Sequence, residues 1–186
     1  MGKLVYSMLT SLDGYVSDAA GNFDWATPDQ ELHAYINDVS RSVGTCLLGR
    51  RMYETMVFWE DPESVRGQPA EMVEYAGIWQ GYDKVVYSST LTEVASERTR
   101  IERAFDPDAV RALKAASTLD LTIDGPTLAA HALRAGLVDA LRVYVCPVLV
   151  GEGTSFYPPG VRLDLELAGE RRFGNGVVYL DYVVRT

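Results

Sequence analysis

The sequence predicts a three-layer α/β sandwich, in which a mixed, mostly parallel sheet lies between helices and ends in an antiparallel C-terminal hairpin. Short apolar runs alternate with helix-like stretches through residues 4–150, which is the order of strands joined by crossover helices. Residues 163–173 and 177–184 alternate in polarity around Asn175-Gly176, a strong hairpin signal. A length of 186 residues and a hydrophobic content of 47% suit one domain spanning residues 1–186.

The first half of the chain begins with an apolar strand at residues 4–12. A helix reaching Ser42 follows, because Thr27 is a preferred capping residue, Pro28 suits a first turn and Gln30 can complete a capping box. The other elements expected in this half are a strand at 46–48, a helix at 50–57, a helix at 70–77 and a strand at 84–88.

The second half continues the alternation. A short strand at residues 99–103 precedes a helix that Asp106 caps and that continues through Ala116, with Pro107 in its first turn. The remaining elements before the hairpin are an apolar strand at 119–123, a small-residue helix at 127–135 that ends at Gly136, and a long apolar strand at 140–150.

Composition excludes several classes of function. A net charge of −9 argues against nucleic-acid binding, which requires a basic face. The chain has no basic stretch followed by an apolar N-terminal segment and no run of ~20 apolar residues, so we expect neither a signal peptide nor a membrane span. Cys46 and Cys146 lie in apolar runs, which predicts buried free thiols and a cytoplasmic protein.

Metal and nucleophile motifs are missing from the sequence. His33 and His131 have no partner at metal-binding spacing, and the cysteines form no C-x-x-C pair. The zinc deaminase signature is absent, and so is the G-x-S-x-G elbow of serine hydrolases. We therefore expect no metal site.

Three predicted strands end in groups that suit a phosphate. One breaks at Gly49-Arg50-Arg51, a second ends in Ser88-Ser89-Thr90, and a third breaks at Asp124-Gly125-Pro126 into a helix. Arginine forks and hydroxyls bind phosphate oxygens, and a helix start presents free N–H groups to an anion. Because ligands lie beyond the carboxyl ends of strands in open α/β sheets, these segments predict one anion site.

The motifs together resemble the dihydrofolate-reductase-like superfamily. The branch they resemble contains the reductase domain of the bifunctional riboflavin-biosynthesis deaminase-reductase, and residues 137–153 are similar to that branch. The resemblance extends over residues 4–184. The segments that carry it, in order, are 11–16 (SLDGYV), 49–54 (GRRMYE), 88–89 (SS), 124–128 (DGPTL) and 137–153.

The resemblance implies NADPH bound along the carboxyl edge of the sheet. It places the 2′-phosphate of the adenosine at Gly49, Arg50, Arg51, Ser88 and Ser89. It places the pyrophosphate at Gly125, Pro126, Thr127 and Leu128, and the loop beside the nicotinamide at Asp13, Gly14, Val16 and Trp25.

Two residues depart from the family pattern. Asp124 replaces the first glycine of the usual pair, which puts a side chain and a charge where the backbone approaches phosphate. If the cofactor binds, Asp124 must either cap the following helix or point toward the substrate. Met52 stands where folate reductases have a hydroxyl that contacts phosphate, and Arg51 is the residue that can compensate.

A reductase also needs a proton donor, and the sequence offers two candidates. Folate reductases take this carboxylate from the first helix, which points to Glu31; the alternative is a solvated carboxylate favoured by the helix dipole. Asp13 is the second candidate, and its alternative is a residue chosen for a turn.

We therefore interpret the chain as an NADPH-dependent reductase of a small heterocyclic or ribosylaminopyrimidine-like substrate. A non-catalytic nucleotide- or ligand-binding protein on the same fold is the alternative, and a partner-binding module without nucleotide is a third. We also expect a homodimer, which the resemblance implies and which aromatic residues near the closing hairpin favour. Those aromatic residues are Tyr144, Phe173, Tyr179 and Tyr182.

Overall fold

The computed structural model describes residues 1–185 and contains one large sheet and one small sheet. The strands are β1 (Leu4–Thr10), β2 (Tyr15–Asp18), β3 (Val43–Gly49), β4 (Asp83–Tyr87), β5 (Thr99–Glu102), β6 (Asp120–Asp124), β7 (Ala140–Val145), β8 (Gly153–Ser155), β9 (Leu165–Arg172) and β10 (Val178–Val184). The large sheet has the order β5-β4-β3-β6-β1-β7-β10-β9, and β2 pairs with β8 in the small sheet.

The pairing confirms the predicted mixed sheet. The six strands from β5 to β7 are parallel to their neighbours, whereas β10 is antiparallel to both β7 and β9. Phe173 and Val177 close the final hairpin around a three-residue loop, in which Gly176 has a positive φ of 88°. A glycine tolerates this left-handed conformation, which completes the turn.

Six α-helices cover the two faces of the large sheet. They are α1 (Gln30–Ser40), α2 (Arg50–Met56), α3 (Pro62–Val65), α4 (Ala70–Gly81), α5 (Pro107–Ala116) and α6 (Pro126–Arg134), with short 3-10 turns at Asp24–Ala26 and Val57–Glu60. Helices α5 and α6 pack on one face, around Leu121 and Ile123 of β6. Helices α1, α2 and α4 contribute to the cores on the other face, which contain Cys46 of β3 and Tyr144 of β7.

Helix α1 begins later than the sequence predicts. Asp29, not Thr27, is its cap, because the Asp29 carboxylate accepts the Leu32 N–H at 2.9 Å. The Thr27 hydroxyl instead donates to the Asp24 carbonyl, and Pro28 precedes the cap. The predicted capping box with Gln30 is therefore wrong, since the aspartate two residues after Thr27 satisfies a free N–H of the helix.

The two largest other differences in element boundaries are at the ends of β7 and α4. Strand β7 ends at Val145 and not at residue 150, because Pro147 has no N–H to donate and Val148 N–H turns back to the Cys146 carbonyl. Helix α4 continues past residue 77 to Gly81, where Tyr82 leads directly into β4. The cap at Asp106 and the first-turn Pro107 of α5 are confirmed.

Burial of the aromatic residues contradicts the reason given for a dimer. Tyr144, Phe173 and Tyr179 are each at most 4% exposed, and they pack with Leu32 and Tyr35 of α1. Tyr182 packs against the opposite core. These side chains are covered within the chain, so they present no apolar edge to a partner.

Both cysteines are buried free thiols, as predicted. Within residues 1–185, no helix is long and apolar enough to span a membrane.

Candidate functional site

The site begins as a crevice at the carboxyl edge of the large sheet. Strand β6 ends at Asp124, while its neighbour β1 continues through Thr10 paired with β7 alone. On the other side, β3 ends at Gly49, one residue beyond the pair that Leu48 forms with Asp124. The helix that follows β1 lies on one face and the helix that follows β6 lies on the other, which makes this edge a topological switch point.

Helix α6 starts directly at this crevice. Gly125 is its cap residue, with a φ of 97°, and Pro126 occupies its first turn. A left-handed φ is the conformation that L side chains resist, so the glycine is required by the turn itself. No side chain caps the helix, which leaves the N–H groups of Thr127 and Leu128 free for an anion.

The Asp124 side chain points away from α6. Along β6, Leu121 and Ile123 enter the core with α6, so Thr122 and Asp124 face the opposite side, where Cys46 lies. Of the two alternatives for Asp124, the cap on α6 is wrong, because the alternation of the strand directs its carboxylate to the other face and Gly125 is the cap residue. The charge is thus turned away from the helix start that suits the pyrophosphate.

The Asp124 carboxylate has one partner among the described residues. The Thr122 hydroxyl lies 3.0 Å from Asp124 Oδ2, and it also lies 3.2 Å from Cys46 Sγ. Asp124 is half-buried. Burial therefore raises the pKa of Asp124 to about 7, against a smaller lowering by the Thr122 hydroxyl. A carboxyl group in this state exchanges its proton near neutral pH.

Arg50 and Arg51 lie at the start of α2, where the resemblance places a phosphate. Arg50 donates to Glu54 at 2.7 Å and to the Thr90 hydroxyl at 2.8 Å, so it bridges α2 to the loop after β4. Arg51 is exposed and forms no ion pair with the described residues. Met52 packs beside Gly125, with its Cβ 3.6 Å from where a Cβ on that glycine would lie.

The loop after β4 brings further polar groups to the arginines. The Ser88 hydroxyl oxygen accepts the Thr90 and Leu91 N–H groups, so it stabilises the loop from a buried position, while Ser89 is exposed. Arg103 donates to the carbonyls of Ser88 and Leu91 at 3.1 and 2.6 Å. Arg103 is not among the site residues predicted from the sequence, although it stands at the end of a predicted strand.

The segment after β1 is tied to the chain after β7. Asp13 accepts the Ser11 hydroxyl at 2.6 Å, the Gly151 N–H at 2.7 Å and the Val150 N–H at 3.2 Å. These hydrogen bonds, led by that of Ser11, lower the pKa of Asp13. A carboxylate with three donors is a poor proton donor, so the geometry gives Asp13 a positioning role in this loop.

Gly14 and Val16 complete the same loop. Gly14 has a φ of 83°, and a Cβ there would lie 3.2 Å from the Tyr157 ring. Its carbonyl accepts the Phe156 N–H, and Phe156 stacks on Tyr6 with ring centroids 4.1 Å apart. Val16 packs against the core that contains Phe156. The loop is thus braced by the β2–β8 pair beside the end of β1.

Trp25 lies on the same face of the sheet as Asp124. It packs with Leu9 of β1 against the core under α1. Its Nε1 atom is buried and has no hydrogen-bond partner among residues 1–185. An unpaired buried N–H is costly, so this donor suits an acceptor supplied by a ligand.

The Glu31 side chain is bound to the final hairpin. Its carboxylate accepts the Gly174 N–H at 3.1 Å and Arg171 at 3.1 Å, on the loop of the final hairpin. The Gly174 hydrogen bond first, and Arg171 second, lower the pKa of Glu31. This exposed pair connects α1 to the hairpin, and the inward face of α1 carries Leu32 and His33 instead.

Two cavities of the protein lie away from the carboxyl edge of the sheet. Cavities of about 510 and 560 Å³ open at the opposite, amino edge of the sheet, beside Leu119 and Val184 respectively. Convergent polar groups are the better guide to chemistry, so we place the site at the carboxyl edge. Within the described part of the chain, no group of three or more histidine, cysteine or acidic residues could hold a metal ion.

Several solved structures are similar to this fold. A provisionally assigned riboflavin biosynthesis protein from Shewanella sp. PV-4 aligns with a TM-score of 0.76 and 19% identity over 99% of both chains. A pyrimidine reductase-like protein from Corynebacterium diphtheriae aligns with a TM-score of 0.71 and 16% identity, covering 100% of this chain and 92% of that chain.

A third structure, a diaminohydroxyphosphoribosylaminopyrimidine deaminase/5-amino-6-(5-phosphoribosylamino)uracil reductase from Thermotoga maritima, aligns with a TM-score of 0.66 and 11% identity. That alignment covers 99% of this chain and 57% of that chain. These likenesses identify the dihydrofolate-reductase-like fold.

Sequence comparisons extend the likeness to a family. The uncharacterized protein YyaP of Bacillus subtilis (strain 168) is 25% identical over 182 residues, which cover 97% of this chain and 94% of that protein. The model of the RibD C-terminal domain family matches residues 2–179. Because this match covers nearly the whole chain, the chain belongs to the RibD C-terminal domain family.

Proposed function

We propose that this protein is an NADPH-dependent reductase of a small heterocyclic or ribosylaminopyrimidine-like substrate, similar to a 5-amino-6-(5-phosphoribosylamino)uracil reductase. The observation that carries the proposal is the start of α6, an uncapped helix N-terminus at the sheet edge where Arg50 and Arg51 also begin a helix. Membership of the RibD C-terminal domain family supports a reductase-like role.

The residues at this edge fit NADPH by their chemistry. Gly125, Thr127 and Leu128 would hold the pyrophosphate with backbone N–H groups, at the positive end of a nine-residue helix. Arg50 and Arg51 would bind the 2′-phosphate with charge-assisted hydrogen bonds. The cofactor would supply the hydride, and the protein would position the substrate and exclude water.

The experiment is a fluorescence titration with NADPH, followed by NADPH oxidation with 5-amino-6-(5-phosphoribosylamino)uracil and a panel of pteridines, pyrimidines and aldehydes. We expect saturable binding and turnover with at least one nitrogen heterocycle. Binding without turnover of any compound would favour a non-catalytic nucleotide-binding protein on the same fold. No binding at millimolar NADPH would contradict both.

A further inference from the structure

The Asp124 carboxylate lies at the carboxyl end of β6, and none of the proposed contacts with NADPH involves it. Strand β6 ends at this residue, while residues 7–10 of β1 rise past it. The side chain projects to the face of the sheet that carries α1 and α2, opposite to α6. A ligand group that enters the crevice from this face meets the carboxylate and not the pyrophosphate site.

The hydrogen bonds of the carboxylate leave one oxygen open. Thr122 holds Oδ2 at 3.0 Å, whereas Oδ1 accepts no hydrogen bond within residues 1–185. No lysine or arginine of those residues lies within ion-pair distance of Asp124. The carboxylate is therefore oriented by a neutral donor and lacks a cation that would keep it ionised.

The two other acidic residues suggested by the sequence use both of their carboxylate oxygens in hydrogen bonds within the protein. Asp13 accepts two backbone N–H groups of the loop after β7, and Glu31 accepts hydrogen bonds from Arg171 and Gly174 of the final hairpin. Of the three acids, Asp124 is the one that keeps a carboxylate oxygen without a hydrogen bond among residues 1–185. Trp25, on the same face, adds a buried N–H that has no acceptor.

We propose that Asp124 is the proton donor when a C=N bond of the nitrogen-containing substrate is reduced. This inference rests on the proposed function, because NADPH is the reductant. In a ribosylamine the sugar ring first opens: the C–O bond breaks, the ring oxygen takes the proton of the glycosylic N–H, and a C=N bond forms. The carbon then accepts the hydride as the C=N π bond breaks, and the nitrogen accepts the proton of the Asp124 carboxylic acid. NADPH is oxidised to NADP⁺, the substrate is reduced to an amine, and the Asp124 carboxylate regains a proton from solvent.

The acidity of the group agrees with this role. Burial raises the pKa of Asp124 to about 7, so a large share of the molecules carry the proton at neutral pH. A general acid is most effective when its pKa lies near the working pH.

The first test compares the wild type with Asp124→Asn, which keeps the shape and the bond from Thr122 but has no acidic proton. With 5-amino-6-(5-phosphoribosylamino)uracil from pH 5.5 to 9, we expect the wild-type kcat to fall as the pH rises through ~7. In Asp124→Asn, we expect kcat to drop by ~10²–10⁴-fold and this fall with pH to disappear. The NADPH Kd should stay within about twofold, because the side chain points away from the pyrophosphate site.

The matched control is Asp164→Asn, which removes an exposed carboxylate and should change neither kcat nor the pH profile. If Asp124→Asn retains the wild-type kcat and pH profile, the proton-donor role is wrong while the reductase function stands. If the wild type fails to bind NADPH in the separate titration, the proposed function is wrong and this inference is overturned with it.

A second measurement does not depend on turnover. In protein labelled with ¹³C at the aspartate carboxyl groups, one NMR resonance that is absent from Asp124→Asn should titrate near pH 7. Adding 5,6-diaminouracil, as a probe for the heterocycle, should shift this resonance in the wild type. A resonance that titrates near pH 4, or one that does not respond to the probe at millimolar concentration, would overturn the assignment.

Discussion

The hydroxyl oxygen of Thr122 lies 3.0 Å from a carboxylate oxygen of Asp124, two residues further along the same face of β6. Donation by this hydroxyl favours the ionised carboxylate and so lowers a pKa that burial raises. The same oxygen lies 3.2 Å from the buried thiol of Cys46, whose pKa burial also raises. Because a hydroxyl has one proton, it can donate to only one of these groups at a time.

The variant Thr122→Val should therefore raise the pKa of Asp124. A hydrogen bond to a charged group contributes roughly 1.5–3 kcal/mol, which corresponds to about one to two pH units. If the protonated acid is the active form, the pH at which kcat falls should move upward by about that amount. The measurement is the pH profile of NADPH oxidation.

Thr122→Ser is the control, because it keeps the hydroxyl and should keep the wild-type profile. An identical profile in Thr122→Val would show that this hydroxyl does not set the acidity of Asp124.

Asp124 should also make stability depend on pH. Its folded pKa of about 7 lies above the ordinary value of 3.8, so the fold favours the protonated form. The resulting stability is fully present below the ordinary pKa and is lost as pH rises toward the folded pKa. Asp124→Asn removes this loss, and its stability relative to wild type should rise by ~2 kcal/mol between pH 5 and pH 8.

Urea denaturation at the two pH values measures this difference. Asp164→Asn, on an exposed carboxylate, should show no comparable change. A constant difference between Asp124→Asn and wild type would contradict the raised pKa.

NADPH should bind more tightly than NADH. Arg50, Arg51, Ser88 and Ser89 are expected to solvate the 2′-phosphate, and Arg50→Ala should remove most of the preference. Loss of one charge-assisted pair costs roughly 1.5–3 kcal/mol, or about ten- to a hundred-fold in affinity. Fluorescence titrations with both cofactors measure the ratio of the Kd values.

Arg162→Ala, at a side chain that is 91% exposed, controls for loss of a positive charge. Equal wild-type affinity for the two cofactors would reject the assignment of this phosphate subsite.

Asp13 should hold the loop after β1 against the chain after β7. Asp13→Ala removes the acceptor for Ser11, Val150 and Gly151, so amide hydrogen exchange at Val150 and Gly151 should become faster. Mass spectrometry of peptides covering residues 11–15 and 148–151 measures this change, with the peptide that contains α5 as an internal reference. Unchanged exchange in both segments would mean that other contacts hold the loop.

The protein should form a homodimer, through a surface different from the one the sequence suggested. Strand β9 is the free edge of the large sheet, and Leu165 and Leu167 are 36% and 50% exposed on it. In an antiparallel pair of two β9 strands centred between Ala168 and Gly169, Glu166 of one copy would face Arg171 of the other.

Leu167→Lys should then shift the mass in light scattering from dimer to monomer at micromolar concentration. Val73→Lys, at a similarly exposed position on α4, should leave the mass unchanged. A monomeric wild type would contradict the expected dimer.

The order and type of the main elements could be predicted from local patterns in the sequence. The apolar runs 119–123 and 140–150 overlap β6 and β7, and Asp106-Pro107 starts α5. These signals are local, since a cap, a turn or an apolar alternation acts through neighbours in the chain. For the same reason, the strand ends that meet at the carboxyl edge could be named in advance.

The contacts of the polar side chains could not be predicted in the same way, because they join residues that are far apart in the sequence. Asp13 meets Gly151 across 138 positions and Glu31 meets Gly174 across 143, so neither the loop brace nor the hairpin pair has a local pattern. The direction of Asp124 depended on which face of β6 packs against α6, and its acidity depended on the protein that surrounds it. Burial and long-range hydrogen bonds set a carboxyl group's protonation, and both exist only once the chain has folded.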